Sequence, residues 1–486
     1  MVIDRSIKRR YINFIHIIPD VIIMRMCGDD PMSTSTILEE VHSFIREHDL
    51  NLSQFSIRLK INAGTLSYIL NGNRTLTIDH LDRISEIMGV PIGYYYEKYI
   101  EDYLKERNPN WRRVGPFLRR CAELDKLDSI RRTVCLLLDN LTYSTSLFEL
   151  AEEFFEKDLY GAAEILYENV AMSETRQYSE RLAVCQYRLF KIRIGSDQAH
   201  NLKIAHQFEP YVDRLDEVLQ LDALKDLANL YRSLREWDRL EVLAKEMEHK
   251  ARLLYFSERR SEEGFPEIQR RLSRPMFVYI VYAKLLCAEA YEGREDYAKA
   301  LEYTYQYTDL SWVREKDEDT RHWLGLFQKW SNANIYVNRL MVGEIEYLSD
   351  YVAFMVENPD EVITSISNVV YAANRYHIDV DHILLQFKSE IEAYINRKQT
   401  NDLYKDQVLL GKYNQFLYDL TYYYLHKKDY TMGFKYLMQG LENSVRINNK
   451  EALLDFMILF EHHRHMANID ICENYKNVIN EVKRSL

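Results

Sequence analysis

Glycine and proline are scarce in this chain, 15 and 9 among 486 residues. So few turn formers exclude collagen-like and low-complexity structure and leave helix as the natural content. Cysteine is scarcer still: six residues (Cys27, Cys121, Cys135, Cys185, Cys287 and Cys472) that never form a CxxC pair. That scatter excludes a disulfide framework and a thiolate zinc site, and it fits reduced thiols in a cytoplasmic protein. No apolar run reaches the roughly 18 residues that span a bilayer, so no membrane partner is expected. Basic charge is in deficit, with 63 Lys and Arg against 75 Asp and Glu and a net charge of −12. Nonspecific nucleic-acid affinity of the whole molecule is thereby excluded, and any such contact must be local. Neither GxxxxGK[ST], GxGxxG after a strand, HExxH nor GxSxG occurs, so the chain reads as a non-enzyme with no cofactor. His462 and His465 of "EHHRHM" have metal-compatible helical spacing without an evident carboxylate or cysteine partner, and read as surface histidines.

What is present is apolar and aromatic: 47% hydrophobic, 13% aromatic, 37 Tyr. From Thr34 onward apolar residues recur at three- and four-residue steps with almost no alternation, which predicts an all-α fold. Breaks at Asn71-Gly72, Gly89 to Pro91, Asn108 to Asn110, Gly195-Ser196, Gly264 to Pro266 and Asn358 to Asp360 cut the chain into helices of ordinary length. The organisation expected is an N-terminal extension over 1–33, a small bundle over 34–96, linker helices over 97–139 and a large repeat domain over 140–486. Residues 1 to 31 place Lys8, Arg9 and Arg10 ahead of an apolar stretch, yet Asn13, His16, Pro19 and Asp20 interrupt it and no small-x-small site follows. The segment reads as an over-extended frame, with Met32 the expected natural start.

In the small bundle, a first helix is expected over 37–48 on Leu38, Val41 and Ile45. A second runs from Ser53 as N-cap through Phe55, Ile57 and Leu59. "INAGTLSYILNGNR" then predicts a short third helix capped by Asn62, with Leu66, Ile69 and Leu70 inside and Gly72 ending it; a fourth begins at Thr77. The order Gln54, Ile61, Ser67, Ile69, Asn71-Gly72, Arg74, Leu81, Ile84, Met88, Gly89-Val90 resembles the phage-repressor type of helix-turn-helix domain. The resemblance implies base reading by Thr65, Ser67 and Tyr68, assisted by Gln54 and Asn62, with Arg58, Lys60 and Arg74 on phosphates. Ala63, Gly64, Lys60 and Leu70 depart from that pattern. Five Lys or Arg against seven Asp or Glu between Ser35 and Val90 make one such head a weak binder, so a homodimer is expected. A helical bundle that touches no DNA is the alternative.

Four later segments superimpose on one frame of Leu, small, aromatic, aromatic, then a small or apolar residue. They are Leu150-Ala151-Phe154-Tyr160-Ala163, Leu227-Ala228-Tyr231-Trp237-Leu240, Cys287-Ala288-Tyr291-Tyr297-Ala300 and Leu420-Thr421-Tyr424-Tyr430-Gly433, at identical offsets. Small residues let two helices approach, and the aromatic after the turn fills the gap between them. The frame resembles the tetratricopeptide hairpin, implying a right-handed α-solenoid after the helix-turn-helix bundle. Its concave wall typically takes up an extended peptide. Asn334 and Asn338, Tyr371 and Asn374, and Asn414 and Tyr418 lie in helical rows suited to clamping a peptide backbone. "ERRSEEGFPEIQRRLSRP" reads as a charged connector, and Arg112, Arg113, Arg119 and Arg120 as solvated linker charge.

This domain order resembles the peptide-pheromone receptors of Gram-positive bacteria and their phages: the Rgg, PlcR, NprR and PrgX regulators, the arbitrium receptors and the headless Rap phosphatases. The resemblance implies a dimeric regulator that binds an operator in double-stranded DNA and a short signalling peptide. The alternative is a Rap-like module that sequesters a response regulator, its head serving dimerisation only.

Overall fold

The computed structural model describes residues 36–105, 110–137, 141–174, 179–256, 271–395 and 403–485. The N-terminal extension, its proposed start at Met32, Cys27 and residues 258–270 of the charged connector lie outside the described residues. Those residues are helical without a strand, and they divide into two compact units at Leu136 and Leu137.

The first unit opens with α1 (Ile37–Glu47), α2 (Leu52–Leu59), α3 (Ala63–Leu70) and α4 (Ile78–Ile87). Each starts on a side-chain cap that satisfies an otherwise orphaned N–H. Thr36 and Glu39 form a reciprocal capping box on α1. Asn51 and Gln54 form another on α2, with bonds of 2.8 and 2.9 Å. The cap of α2 is therefore Asn51, not Ser53, because a glutamine three residues on can return its own bond. Two inner-face assignments also change. Ile37 rather than Leu38 completes the buried row of α1, and Ile57 is 75% exposed, since Phe55, Ser56 and Leu59 take the inner face of α2.

Behind this bundle come α5 (Tyr96–Tyr99), a π-turn over Ile100–Leu104, α6 (Trp111–Glu123) and α7 (Leu127–Cys135). Tyr96 donates to Asp82 at 2.8 Å and Tyr99 to the Leu76 carbonyl at 3.0 Å. Arg120 pairs with Asp82 at 2.7 Å, and Arg113 donates to the Tyr103 carbonyl at 3.0 Å. These two arginines are thus built into the bundle instead of standing as solvated linker charge; Arg112 and Arg119 remain exposed.

The second unit is a succession of helices: α8 (Ser144–Glu156), α9 (Tyr160–Glu174), α10 (Glu180–Arg193), α11 (Gln198–Phe208), α12 (Glu217–Ser233), α13 (Trp237–Phe256), α14 (Met276–Gly293), α15 (Tyr297–Gln306) and α16 (Glu318–Met341). After these follow α17 (Leu348–Glu357), α18 (Val362–Tyr376), α19 (Asp381–Gln386), α20 (Lys388–Ile395), α21 (Leu403–His426), α22 (Tyr430–Arg446), α23 (Lys450–His463) and α24 (Ile469–Ser485). The four framed segments are the hairpins α8–α9, α12–α13, α14–α15 and α21–α22. Each turns through three residues whose middle member is left-handed: Asp158, Arg235, Glu295 and Lys428, at φ of 58 to 64°. In each, the next residue's N–H returns to the carbonyl of Phe154, Tyr231, Tyr291 or Tyr424 at 2.9 Å. That bond closes the helix end in the Schellman manner.

Small residues do let the helices approach. A Cβ on Gly433 would fall 2.5 Å from Leu425, and one on Gly440 would fall 2.1 Å from the buried Phe456 ring. We expect Gly440→Ala to destabilise the protein by about 1–3 kcal/mol in urea denaturation. Gly325→Ala, in the middle of α16 with open space around it, should gain about 0.5–1 kcal/mol. Equal effects at the two sites would refute the packing argument. The first marker aromatic departs from the frame: Tyr160 is 44% exposed and edges onto Phe155.

Two hydrophobic cores run through this unit, one from α10 to α16 and the other from α15 to α24. Helices far apart in the sequence also meet within this unit. α12 packs against α21, and the start of α11 meets the α22–α23 turn. There Gln198 N–H donates to the Ile447 carbonyl at 3.1 Å, Asn448 to Asp197 at 3.0 Å and Asn449 to Gln198 at 2.7 Å.

Candidate functional sites

In the first unit, the turn from α2 to α3 carries Lys60 at φ 57°, a conformation that costs a non-glycine residue roughly 1 kcal/mol. Asn62 caps α3, accepting from Gly64 N–H at 2.7 Å. With Leu66, Ile69 and Leu70 buried, the other side of α3 presents Thr65 and Ser67, half-buried, and Tyr68, 61% exposed. Arg58, Lys60 and Arg74 are exposed and have no ion pair among the described residues. Gln54 is exposed as well, but its side-chain oxygen is committed to the capping box. Two acidic groups of the same unit are engaged elsewhere: Glu40 by Lys98, Asp82 by Tyr96 and Arg120.

In the second unit a cavity of about 480 Å³ opens between the ends of α12 and α14 and the inner sides of α16, α18 and α21. Its walls carry opposed charges, most already paired. Arg232 Nε lies 2.6 Å from Glu289, and Arg375 binds Glu295 at 2.7 Å. Tyr297 donates to Tyr371 at 3.1 Å and Tyr371 to Glu295 at 3.3 Å. One wall group differs. Asp419 is 5% exposed, accepts from the Gln415 amide at 3.1 Å and forms no ion pair among the described residues. Burial raises its pKa to about 7, opposed by Gln415 and the charge of Arg235.

Of the six residues expected to face a peptide, Tyr371 lines this cavity. Asn338 is 0% exposed and donates to Glu292 at 2.9 Å. Asn414 is buried between Ser444 and Asn443, at 2.8 Å from each. Asn334 donates to Tyr307 at 2.8 Å and Asn374 to the Asp419 carbonyl at 2.9 Å, while the Tyr418 ring meets Phe456 edge-on. These five tie helices together. The cavity residues that sequence reasoning missed, among them Arg232, Asn368, Gln415 and Asp419, carry no marker of their own.

No family model matches the chain, and no curated protein matches it. Among solved structures, a chain described as a "Circular tandem repeat protein with novel repeat topology and enhanced subunit contact surfaces" is 12% identical, covering 92% of this chain and 99% of that one at a TM-score of 0.21. A superposition that poor bears on neither fold nor function. What stands is a fold of many packed helices, all-helical among the described residues. No helix among the described residues is long and apolar enough to cross a membrane.

Proposed function

We propose that the protein is a cytoplasmic, non-enzymatic transcription regulator. In this reading it binds DNA as a homodimer through a helix-turn-helix formed by α2 and α3, and a short signalling peptide in the cavity of its repeat unit. The observation that carries the reading is α3: a helix of two turns, pinned inward by Leu66, Ile69 and Leu70, with Thr65, Ser67 and Tyr68 outward and exposed Arg58, Lys60 and Arg74 nearby. That is the arrangement a major-groove reader needs, since short polar groups meet base edges while flanking cations meet phosphates. The cavity is within the size range of small-ligand sites and mixes aromatic walls with polar groups, which suits a short peptide.

A mobility-shift assay with the gene's own upstream DNA tests it. We expect a discrete complex that weakens as salt rises, and at least about a 100-fold loss of affinity when Thr65, Ser67 and Tyr68 are changed together to Ala. The excess of seven acidic over five basic residues between Ser35 and Val90 favours a second reading, a module that sequesters a response regulator while its head only dimerises. That reading predicts no complex at any salt.

A further inference from the structure

We infer that the cavity of the second unit is a receptor for one positively charged group, an ammonium or guanidinium, and that Asp419 is its anchor. The site is the one assigned above to a peptide, so the inference rests on that assignment and names the chemistry the ligand must carry.

The acids on one wall of the cavity differ in their partners. Glu289 is matched by Arg232 and Glu295 by Arg375, and Glu292 accepts from the Asn338 amide. Among the described residues Asp419 is left with a single neutral donor, Gln415. An ionised carboxylate at that depth is costly without a partner, and neighbours of the required sign are few. Arg235, on the turn after α12, is exposed and acts on Asp419 only as a nearby charge. It acts in the same way on Asp455 of α23. Asn374 of α18 is occupied by the main-chain carbonyl of Asp419. A carboxylate is thus held beside about 480 Å³ of space; Arg235 lines the same cavity but forms no ion pair with it among the described residues. Tyr371, Tyr394 and Phe416 also line that space, and aromatic faces attract the same cation that the carboxylate does. Anions are disfavoured here by the same carboxylates, and a neutral ligand would leave Asp419 as it stands.

Binding is also coupled to a proton. Without a cation beside it Asp419 is largely neutral below about pH 7, whereas a bound cation requires it ionised. Affinity therefore strengthens as pH rises through that value.

The test uses the full chain and isothermal titration calorimetry with three probes: N-acetyl-Gly-Gly-Arg-Gly-Gly amide, the same peptide with neutral citrulline for arginine, and agmatine. We expect the arginine peptide to bind at pH 8 at least about ten-fold more tightly than the citrulline peptide. Its affinity should fall about ten-fold on going to pH 6. Asp419→Asn should erase the preference, and Gly325→Ala, which lies outside the cavity lining with open space around it, should keep it. Tighter binding of agmatine than of the arginine peptide identifies a free amine as the ligand class, and the reverse order identifies a peptide side chain; either retains Asp419 as anchor. Equal behaviour of the arginine and citrulline peptides, including no binding by both, overturns the inference when agmatine binds no more tightly than either. So does a flat pH profile in the unmodified protein, which requires no variant to fold. A missing DNA complex in the mobility-shift assay sinks the regulator reading and leaves this result untouched.

Discussion

Glu289→Ala lowers the stability of the second unit by about 3–5 kcal/mol in urea denaturation. Glu289 and Arg232 are 17% and 16% exposed and stand 2.6 Å apart, so solvent screens the pair poorly. Arg232 also donates to Tyr282 at 3.3 Å, and Tyr282 to Asn229 at 2.6 Å; the guanidinium cannot leave without disturbing α12 and α14 together. Deleting the carboxylate leaves an uncompensated buried cation, which is where the large cost arises. Removing both charges in Arg232→Met with Glu289→Leu should recover most of the loss, because a buried pair and its apolar replacement are of similar net stability. A loss below about 1 kcal/mol for the single change would place the pair among screened surface contacts.

Asp419→Asn stabilises the protein, and more so as the pH rises. A carboxyl raised from about 3.9 in the unfolded chain to about 7 in the fold holds more protons folded than unfolded between those values. Its contribution to stability is complete below the lower value and is lost as pH climbs through the upper one. Asparagine keeps the shape and cannot ionise, so it avoids that loss. Between pH 5 and pH 8 the gap between variant and parent should widen by about 2–3 kcal/mol, read from urea midpoints at fixed ionic strength. Parallel curves would mean that the carboxylate is adequately solvated in the fold.

Much of the helical order was legible in the residues, and the reasons are local. Asn62, Leu66, Ile69 and Leu70 make a cap and a face that nothing else satisfies, and α3 forms as they dictate. The four framed hairpins were legible because close helix approach demands small residues at fixed offsets. Their turns were not. Asp158, Arg235, Glu295 and Lys428 occupy a conformation usually given to glycine, so the expected residue type is missing from the text. Helical rows of Asn likewise do not say which side faces inward. Asn338 and Asn414 went to the packed interior, where an amide is useful because it can donate and accept between helices. Asp419 was illegible for a related reason: its character comes chiefly from burial, which its sequence neighbours do not reveal.

The bonds joining residues 197 and 198 to residues 447 to 449 change what kind of polymer the repeat unit is. A stack with two free tips can fray one hairpin at a time, each loss involving only the next neighbour. Tying the early helices to the late ones makes the first loss interrupt the seam as well, so denaturation of the span between them should occur in one cooperative step. Forming the seam in the first place brings together segments some 250 positions apart, an encounter with a high entropic threshold. The unit trades speed of assembly for resistance to unravelling.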